Sequence, residues 1–450
     1  MMKDKKRVII IGGGVAGRNV ARELSRREGE NFEVYLIKRE THPSYSPCGM
    51  PYVLAGDVEK PENLLFPGFD KKLESRGVKL KFGKEVTLID RTNNNVFFKE
   101  GDILGYDVLV LATGRKPFRL KIPGIELDGV FTLIDFNDGI KLYKAIEKTR
   151  EAVIIGGGFI GLEVATGFIK RGIKTTIVEL KPYVLHQLLD QDMAKIVEQR
   201  LEDLGVSIFT QKKVKAINGE KEVESVSIKE EEIKADLVLL AAGIMPNVDL
   251  AREAGIDIGT TGGIVVDDTL HVRANGRFLS NVYALGDCIE VRDKITGSLC
   301  LCPLIEPAVL QARVATESIL GENPQGVLDS LSPSITFIGG LEIGSVGITG
   351  LEAQRIGIKP ITKKVTGRTR EGYYPECKEM VVKLFAIEDR LIGAQVISEE
   401  DTKGVINEIT ALINAKVKLK DILYQERCYT PSLSSSPDAF KRAVEKMVGG

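Results

Sequence analysis

"RVIIIGGGVAG" (residues 7–17) decides how this chain reads, because it recurs almost unchanged as "EAVIIGGGFIG" at residues 151–161. Each copy is a short β-branched run, then Gly-x-Gly-x-x-Gly, then a helix-like stretch, "RNVARELSRRE" in the first and "LEVATGFIKRG" in the second. A second strand-like run follows each, "FEVYLIK" (32–38) and "KTTIVEL" (174–180). The pattern is a βαβ dinucleotide-binding unit, written twice. Gly12 and Gly156 suit the tight turn, and Gly14 and Gly158 let backbone approach a diphosphate. Gly17 and Gly161 let each helix close on its strand, and the helix N-terminus offers N–H groups with no intrahelical partner.

The duplication extends further. "YDVLVLATGRKP" (106–117) and "ADLVLLAAGIMP" (235–246) match nearly position by position, each a buried parallel-type strand followed by glycine and proline. "NVYALGDCIEV" (281–291) then supplies another strand with Gly286–Asp287 at its carboxyl end, where open α/β sheets bind ligands. From about residue 328 the character changes to antiparallel-looking strands, "SITFIGG" and "MVVKLFAIEDRLIGAQVIS", with no phosphate loop. The expected fold is α/β: two nested Rossmann-like dinucleotide-binding domains plus a C-terminal α+β domain. The expected boundaries are 1–118 with 248–327 for the first, 119–247 for the inserted second, and 328–450 for the third.

Composition narrows the class. Among 450 residues the formal net charge is −1, so no overall field draws the chain to nucleic acid or to an anionic membrane. No apolar run approaches the ~20 residues of a membrane span, and glycines interrupt the N-terminal apolar run too early for a signal peptide. Six scattered cysteines make no disulfide framework, which points to a reducing, cytoplasmic setting. Cys300 and Cys302 lack a matching second pair, so no metal site is expected.

In this order the elements resemble the pyridine nucleotide–disulfide oxidoreductases, and the resemblance covers essentially the whole chain. It implies FAD on the first unit, held by Gly12, Gly14 and Gly17, with Thr113 and Gly114 along the diphosphate. It further implies that Asp287, after Gly286, bonds the ribityl chain and that backbone at Val86 meets the adenine. Where an acid usually holds the FAD ribose stand Lys38 and Arg39, with Glu40 or backbone alone as the substitute. The inserted unit is implied to hold a nicotinamide nucleotide on Gly156, Gly158, Gly161 and Gly243. Glu179 ends its second strand, where a carboxylate accepts from a ribose 2′-hydroxyl and repels a 2′-phosphate, so NADH is favoured over NADPH.

Cysteine placement selects the branch. "SYSPCGMPY" (44–52) puts Cys48 alone between proline and glycine, which resembles the single-cysteine branch with its Ser-x3-Cys-x2-Pro-Tyr signature. That branch contains coenzyme A disulfide reductases, persulfide and polysulfide reductases, NADH oxidases and NADH peroxidases. The resemblance implies a Cys48 thiolate that attacks a small disulfide or polysulfide and is restored by reduced flavin. Val15 stands where the water-forming oxidases and peroxidases carry histidine, which argues against specialised oxygen chemistry.

Two tyrosine elements, "GYYPEC" (372–377) and "CYTPSLSSSPD" (428–438), resemble those that reach the partner's flavin and cysteine in a homodimer with shared active sites. Tyr374 and Tyr429 are the candidate hydroxyl donors, with interface packing as the alternative for the tyrosine pair. Arg18 and Arg22 recur at i, i+4 on one helix face; with Ser44 they are implied to line a coenzyme A channel, against the alternative of a solvated face. The expected activity is FAD-dependent NAD(P)H reduction of coenzyme A disulfide, persulfide or polysulfide. The rivals are a peroxide-forming NADH oxidase, an NADH reductase of a small carrier protein such as rubredoxin, and a redox sensor without turnover.

Overall fold

The computed structural model describes residues 5–27, 31–229, 231–324 and 329–449. The expected boundary at 327/328 lies outside the described residues. By internal contact the chain divides into two compact units. The first comprises Met1–Cys48, Pro61–Phe118 and Ile244–Ser330; the second comprises Gly49–Lys60, Arg119–Gly243 and Leu331–Gly450.

In the first unit, β1 (Lys6–Ile11) runs parallel between β2 (Phe32–Lys38) and β3 (Val108–Leu111). Strand Lys79–Phe82 extends the sheet beyond β2, and Arg277–Ala284 extends it beyond β3, both parallel, with His271–Ala274 antiparallel at the edge. Val8, Ile9 and Ile10 are fully buried, as an apolar run without alternation requires of a strand covered on both faces. Each such side chain contributes roughly 1.5–3 kcal/mol. Helix α1 (Val15–Arg27) covers one face with Val20, Ala21 and Leu24, and Arg26 and Arg27 in its last turn complement the helix dipole.

The second unit repeats this architecture. β4 (Glu151–Ile155) lies parallel between β5 (Lys174–Val178) and β6 (Leu237–Leu240), with α2 (Phe159–Lys170) after the glycine loop. Strands Ser207–Phe209 and Val130–Phe131 complete an all-parallel sheet of five. The two copies agree to the hydrogen bond: Gly12 donates to the Ile37 carbonyl at 2.9 Å and Gly156 to that of Val178 at 2.9 Å. Ala112 and Ala241 likewise donate to Ile11 and Ile155, at 2.8 Å each.

The same unit carries a five-stranded antiparallel sheet, in the order Ser334–Ile338, Leu341–Gly347, Arg390–Ser398, Glu379–Ile387, Ile361–Arg368. Helices Thr402–Asn414 and Ala439–Val448 pack on it through Ile406, Ile409, Phe440 and Val444. The proline ends of the duplicated 106–117 and 235–246 segments do not continue their parallel sheets. Arg115–Pro117 pairs antiparallel with Ile244–Pro246, forming a ribbon where the chain leaves and re-enters the first unit.

Candidate active site

Two positions of each glycine loop have different physical causes. At Gly12, φ is +116° and an added Cβ would stand 2.0 Å from the Ala112 carbonyl oxygen; at Gly156 the values are +118° and 2.3 Å from Ala241. Only glycine meets both demands. At Gly14 and Gly158 an added Cβ would meet nothing within 4 Å, and neither has a positive φ. The protein itself gives no reason for glycine there; open space beside the start of a helix is what a close-approaching diphosphate needs. Gly17 and Gly161 sit 2.0 and 2.1 Å, Cβ to oxygen, from the Gly12 and Gly156 carbonyls. The first unit's loop therefore fits a dinucleotide such as FAD, and the second repeats the fit.

Around the first loop, the Thr113 hydroxyl donates to the Asn247 carbonyl at 2.6 Å, and Gly114 follows with φ +70°. Gly286 N–H donates to the buried Gln311 side chain at 2.7 Å. Asp287 pairs with Arg115 at 3.3 Å; burial pushes its carboxyl above the usual range, and the guanidinium opposes that push. Val86 opens strand Val86–Asp90 and is partly buried against the core.

The register of the repeat puts Lys38 and Glu179 at equivalent places. A Cβ on Gly13 would meet Lys38 Cδ at 2.9 Å, and one on Gly157 would meet Glu179 Oε2 at 3.2 Å. Glu179 accepts from Gly157 N–H at 2.5 Å and from Lys181 N–H at 2.6 Å, so its carboxylate is fixed at the loop. Lys38 behaves otherwise. Only 4% exposed, it donates Nζ to the carbonyls of His42 (2.7 Å) and Pro43 (3.0 Å), with Glu40 at 3.6 Å. An ammonium has no acceptor, so Lys38 cannot replace the missing acid. Arg39 is exposed beside it.

Cys48 is exposed, in the 3₁₀ turn Pro47–Gly49. Ser44 lies four residues earlier and is buried, 1% exposed, with its hydroxyl donating to Asp70 Oδ1 at 2.6 Å. Its hydroxyl thus points into the protein, onto a carboxylate, and not outward. The arginine face of α1 also separates. Arg18 donates to the Tyr45 carbonyl at 3.0 Å and lies 5.6 and 5.7 Å from the Phe66 and Phe69 ring centres. Burial lowers its pKa below the ordinary guanidinium range. Arg22 and Arg26 instead share Glu23, at 3.0 and 3.5 Å, on the solvent side.

In the second unit, Tyr429 is 54% exposed and its hydroxyl donates to Glu371 at 3.1 Å. Tyr374 lies in the same loop as Glu371, under the Arg370 guanidinium at 5.6 Å from its ring centre. Gly243, with φ +117°, follows β6 in open space. Asp70 and Arg115 are the residues that sequence reading missed. Asp70 belongs to no motif and Arg115 stands unremarked in the 106–117 segment; each is found only through its tertiary partner. Among the described residues no group of three His, Cys, Asp or Glu side chains is placed to hold a metal, and no helix is long and apolar enough to cross a membrane.

Comparison with known proteins adds a second line. A family model described as pyridine nucleotide-disulphide oxidoreductase matches residues 6–316, and one for its dimerisation domain matches residues 332–439. The chain is 34% identical over 446 residues to a protein named NADH oxidase from Methanocaldococcus jannaschii, covering 98% of each. It is 34% identical over 438 residues to the CoA-dependent NAD(P)H sulfur oxidoreductase of Pyrococcus abyssi, covering 96% of each. The solved structure of an NAD-dependent persulfide reductase from A. fulgidus superposes with a TM-score of 0.92 at 30% identity, covering 98% of this chain and 84% of that one.

Proposed function

The chain belongs to the pyridine nucleotide-disulphide oxidoreductase family, and from that premise we propose that it is an FAD-dependent NAD(P)H oxidoreductase acting on sulfur. Its substrate is a low-molecular-weight disulfide, such as coenzyme A disulfide, or a persulfide or polysulfide, cleaved at Cys48. The observation that carries this reading is an exposed single thiol in the turn Pro47–Gly49, in a chain whose relatives include enzymes named for sulfur and persulfide reduction.

FAD is assigned to Gly12, Gly14, Gly17, Thr113, Gly114, Gly286, Asp287 and the Val86 backbone; the open space at Gly14 supports this. Lys38 and Arg39 stay beside that set at the ribose position, where Glu40 or backbone takes the acid's place because the Lys38 ammonium is held on the His42 and Pro43 carbonyls. The nicotinamide nucleotide is assigned to Gly156, Gly158, Gly161, Gly243 and Glu179; the carboxylate held at Gly157 supports NADH over NADPH. Held by these residues, FAD would supply two-electron redox chemistry between a reduced nicotinamide and sulfur. The chain's own chemistry is nucleophilic. The Cys48 thiolate attacks one sulfur of the substrate, the other leaves as a thiolate, and a mixed disulfide remains on Cys48. Tyr429 and Tyr374 of the partner subunit are assigned as hydroxyl donors to that leaving group. The exposure of Tyr429 and the half-buried setting of Tyr374, on a segment that overlaps the dimerisation-domain match, support the assignment. Arg18 and Arg22 flank the approach of a phosphate-bearing thiol such as coenzyme A, Arg22 being the more available because Arg18 is half-buried.

The working enzyme is thus a cytoplasmic homodimer with shared sites. Residues 1–118 with 248–327 are assigned to FAD, 119–247 to the nicotinamide nucleotide and 328–450 to the dimer contact. A second reading, NADH oxidase, has the name of the Methanocaldococcus relative in its favour and Val15 against it. The test is NADH oxidation by the purified protein without oxygen, with coenzyme A disulfide, polysulfide or no acceptor, then repeated in air. Faster turnover with a sulfur acceptor than in air supports the reading. Turnover only in air replaces it with the oxidase.

A further inference from the structure

Cys48 sits at the end of a loop whose preceding residues are each held by a buried or half-buried group of the first unit. Lys38 Nζ holds the carbonyls of His42 and Pro43. Asp70, only 6% exposed, accepts from both Ser44 N–H and Ser44 Oγ–H, each at 2.6 Å. Arg18 holds the Tyr45 carbonyl, and Glu40 accepts from the Tyr45 hydroxyl at 3.1 Å. Ser46 N–H donates to the Leu64 carbonyl at 3.0 Å, while Phe66 N–H donates to the Ser44 carbonyl at 2.6 Å. From residue 42 to residue 46 no backbone segment is left to solvent alone.

We propose that Asp70 is the positioning residue of the thiol loop: through its two-point grip on Ser44 it fixes where Cys48 presents its sulfur. Three observations carry this. Asp70 is a buried carboxylate, a group that costs free energy unless its acceptors are filled, and both of its oxygens are filled by one residue. Asp70 reaches Ser44 across 26 positions of sequence, so the contact ties the loop to the separate helix Pro67–Glu74. The attachment lies four residues before Cys48, close enough that loosening it moves the thiol. An attacking sulfur must be aligned along the S–S bond it breaks, and misplacement by about 1 Å at such a centre costs on the order of 100-fold in rate. The same geometry gives Ser44 its role, as the residue Asp70 grips.

This inference rests on the sulfur-reductase reading, and the experiment separates the two. Asp70→Asn keeps size and one acceptor oxygen but places an NH₂ against one of the two Ser44 donors, so one grip is lost. In the flavin-loaded dimer the expected result is a roughly 10- to 100-fold fall in kcat with the sulfur acceptor. KM for NADH stays within about twofold, as does NADH-driven reduction of an artificial dye that bypasses the thiol. The long-wavelength absorbance of a thiolate lying beside oxidised flavin should fall with it, and a purely stabilising residue would not move that band. Ser44→Ala, which retains the N–H contact, should show the same pattern to a smaller extent, and decides the matter if Asp70→Asn does not fold. Sulfur turnover and the absorbance band both unchanged, or dye reduction lost in proportion to sulfur turnover, overturns the inference. Loss of activity in neither Asp70→Asn nor Cys48→Ser overturns the parent reading instead.

Discussion

A methyl group added at Gly14 should separate folding from cofactor binding. The added Cβ meets no protein atom within 4 Å, and the residue lacks a positive φ, so Gly14→Ala should change the stability of the flavin-free protein by no more than about 0.5 kcal/mol. If the space belongs to a diphosphate, the same methyl overpacks the bound state by about 1–3 kcal/mol. At 1.4 kcal/mol per decade that is roughly 5- to 150-fold weaker FAD binding. Gly12→Ala makes the contrast. There the Cβ would stand 2.0 Å from the Ala112 carbonyl oxygen at φ +116°, so about 3 kcal/mol or more should be lost from folding itself. The assay is a fluorescence titration of FAD into flavin-free protein, alongside denaturant unfolding of the same samples. Gly14→Ala binding FAD as tightly as wild type would refute the assignment of that loop to the cofactor. Gly14→Ala unfolding as readily as Gly12→Ala would refute the claim that the space is empty of protein.

Glu179→Gln should lower the preference for NADH over NADPH by roughly 5- to 30-fold, the effect of removing a like-charge repulsion of about 1–2 kcal/mol at a partly exposed site; the ratio of the two kcat/KM values checks it. Tyr429→Phe should leave NADH-driven flavin reduction unchanged and slow sulfur turnover by about 10- to 100-fold, read by stopped-flow against steady state. Glu163 is held above the ordinary carboxyl range by burial, with one opposing hydrogen bond from Thr336 at 2.6 Å. Its ionisation therefore works against folding once pH rises above the unfolded value, and increasingly until the folded value is passed. Glu163→Gln keeps the acceptor for Thr336, so it should raise Tm at neutral pH. The gain should vanish as pH falls below the unfolded carboxyl value.

What could be read from sequence divides by the range of the cause. The glycine loops are legible because most of their constraints are local: a positive φ at Gly12, the Gly12 carbonyl that a Cβ on Gly17 would strike, and a helix that begins at once. The duplication doubled that signal, and the hydrogen bonds of the two copies agree to within 0.1 Å where compared. Lys38 and Ser44 are hard to read from sequence for the opposite reason. Both occupy motif positions whose usual meaning is contact with a ligand, yet their partners are backbone at residues 42–43 and a carboxylate on a separate helix. No periodicity encodes Asp70 facing Ser44; it follows from how the helix Pro67–Glu74 packs. The ribbon of Arg115–Pro117 with Ile244–Pro246 escaped notice likewise, since each half alone reads as the tail of a parallel strand. The arginines of α1 share one face by spacing, but only tertiary contact distinguishes Arg18, near the Phe66 and Phe69 rings, from Arg22 beside Glu23.

The central claim is that sulfur is reduced at Cys48, and Cys48→Ser tests it most directly. NADH oxidation would be followed without oxygen in the flavin-loaded dimer, with coenzyme A disulfide or polysulfide as acceptor, wild type beside variant. The account predicts turnover with the sulfur acceptor in wild type and its loss, by at least about 1,000-fold, in Cys48→Ser, while NADH still reduces the flavin at the wild-type rate. Equal sulfur turnover in both proteins would contradict it and leave Cys48 an exposed thiol with no part in turnover.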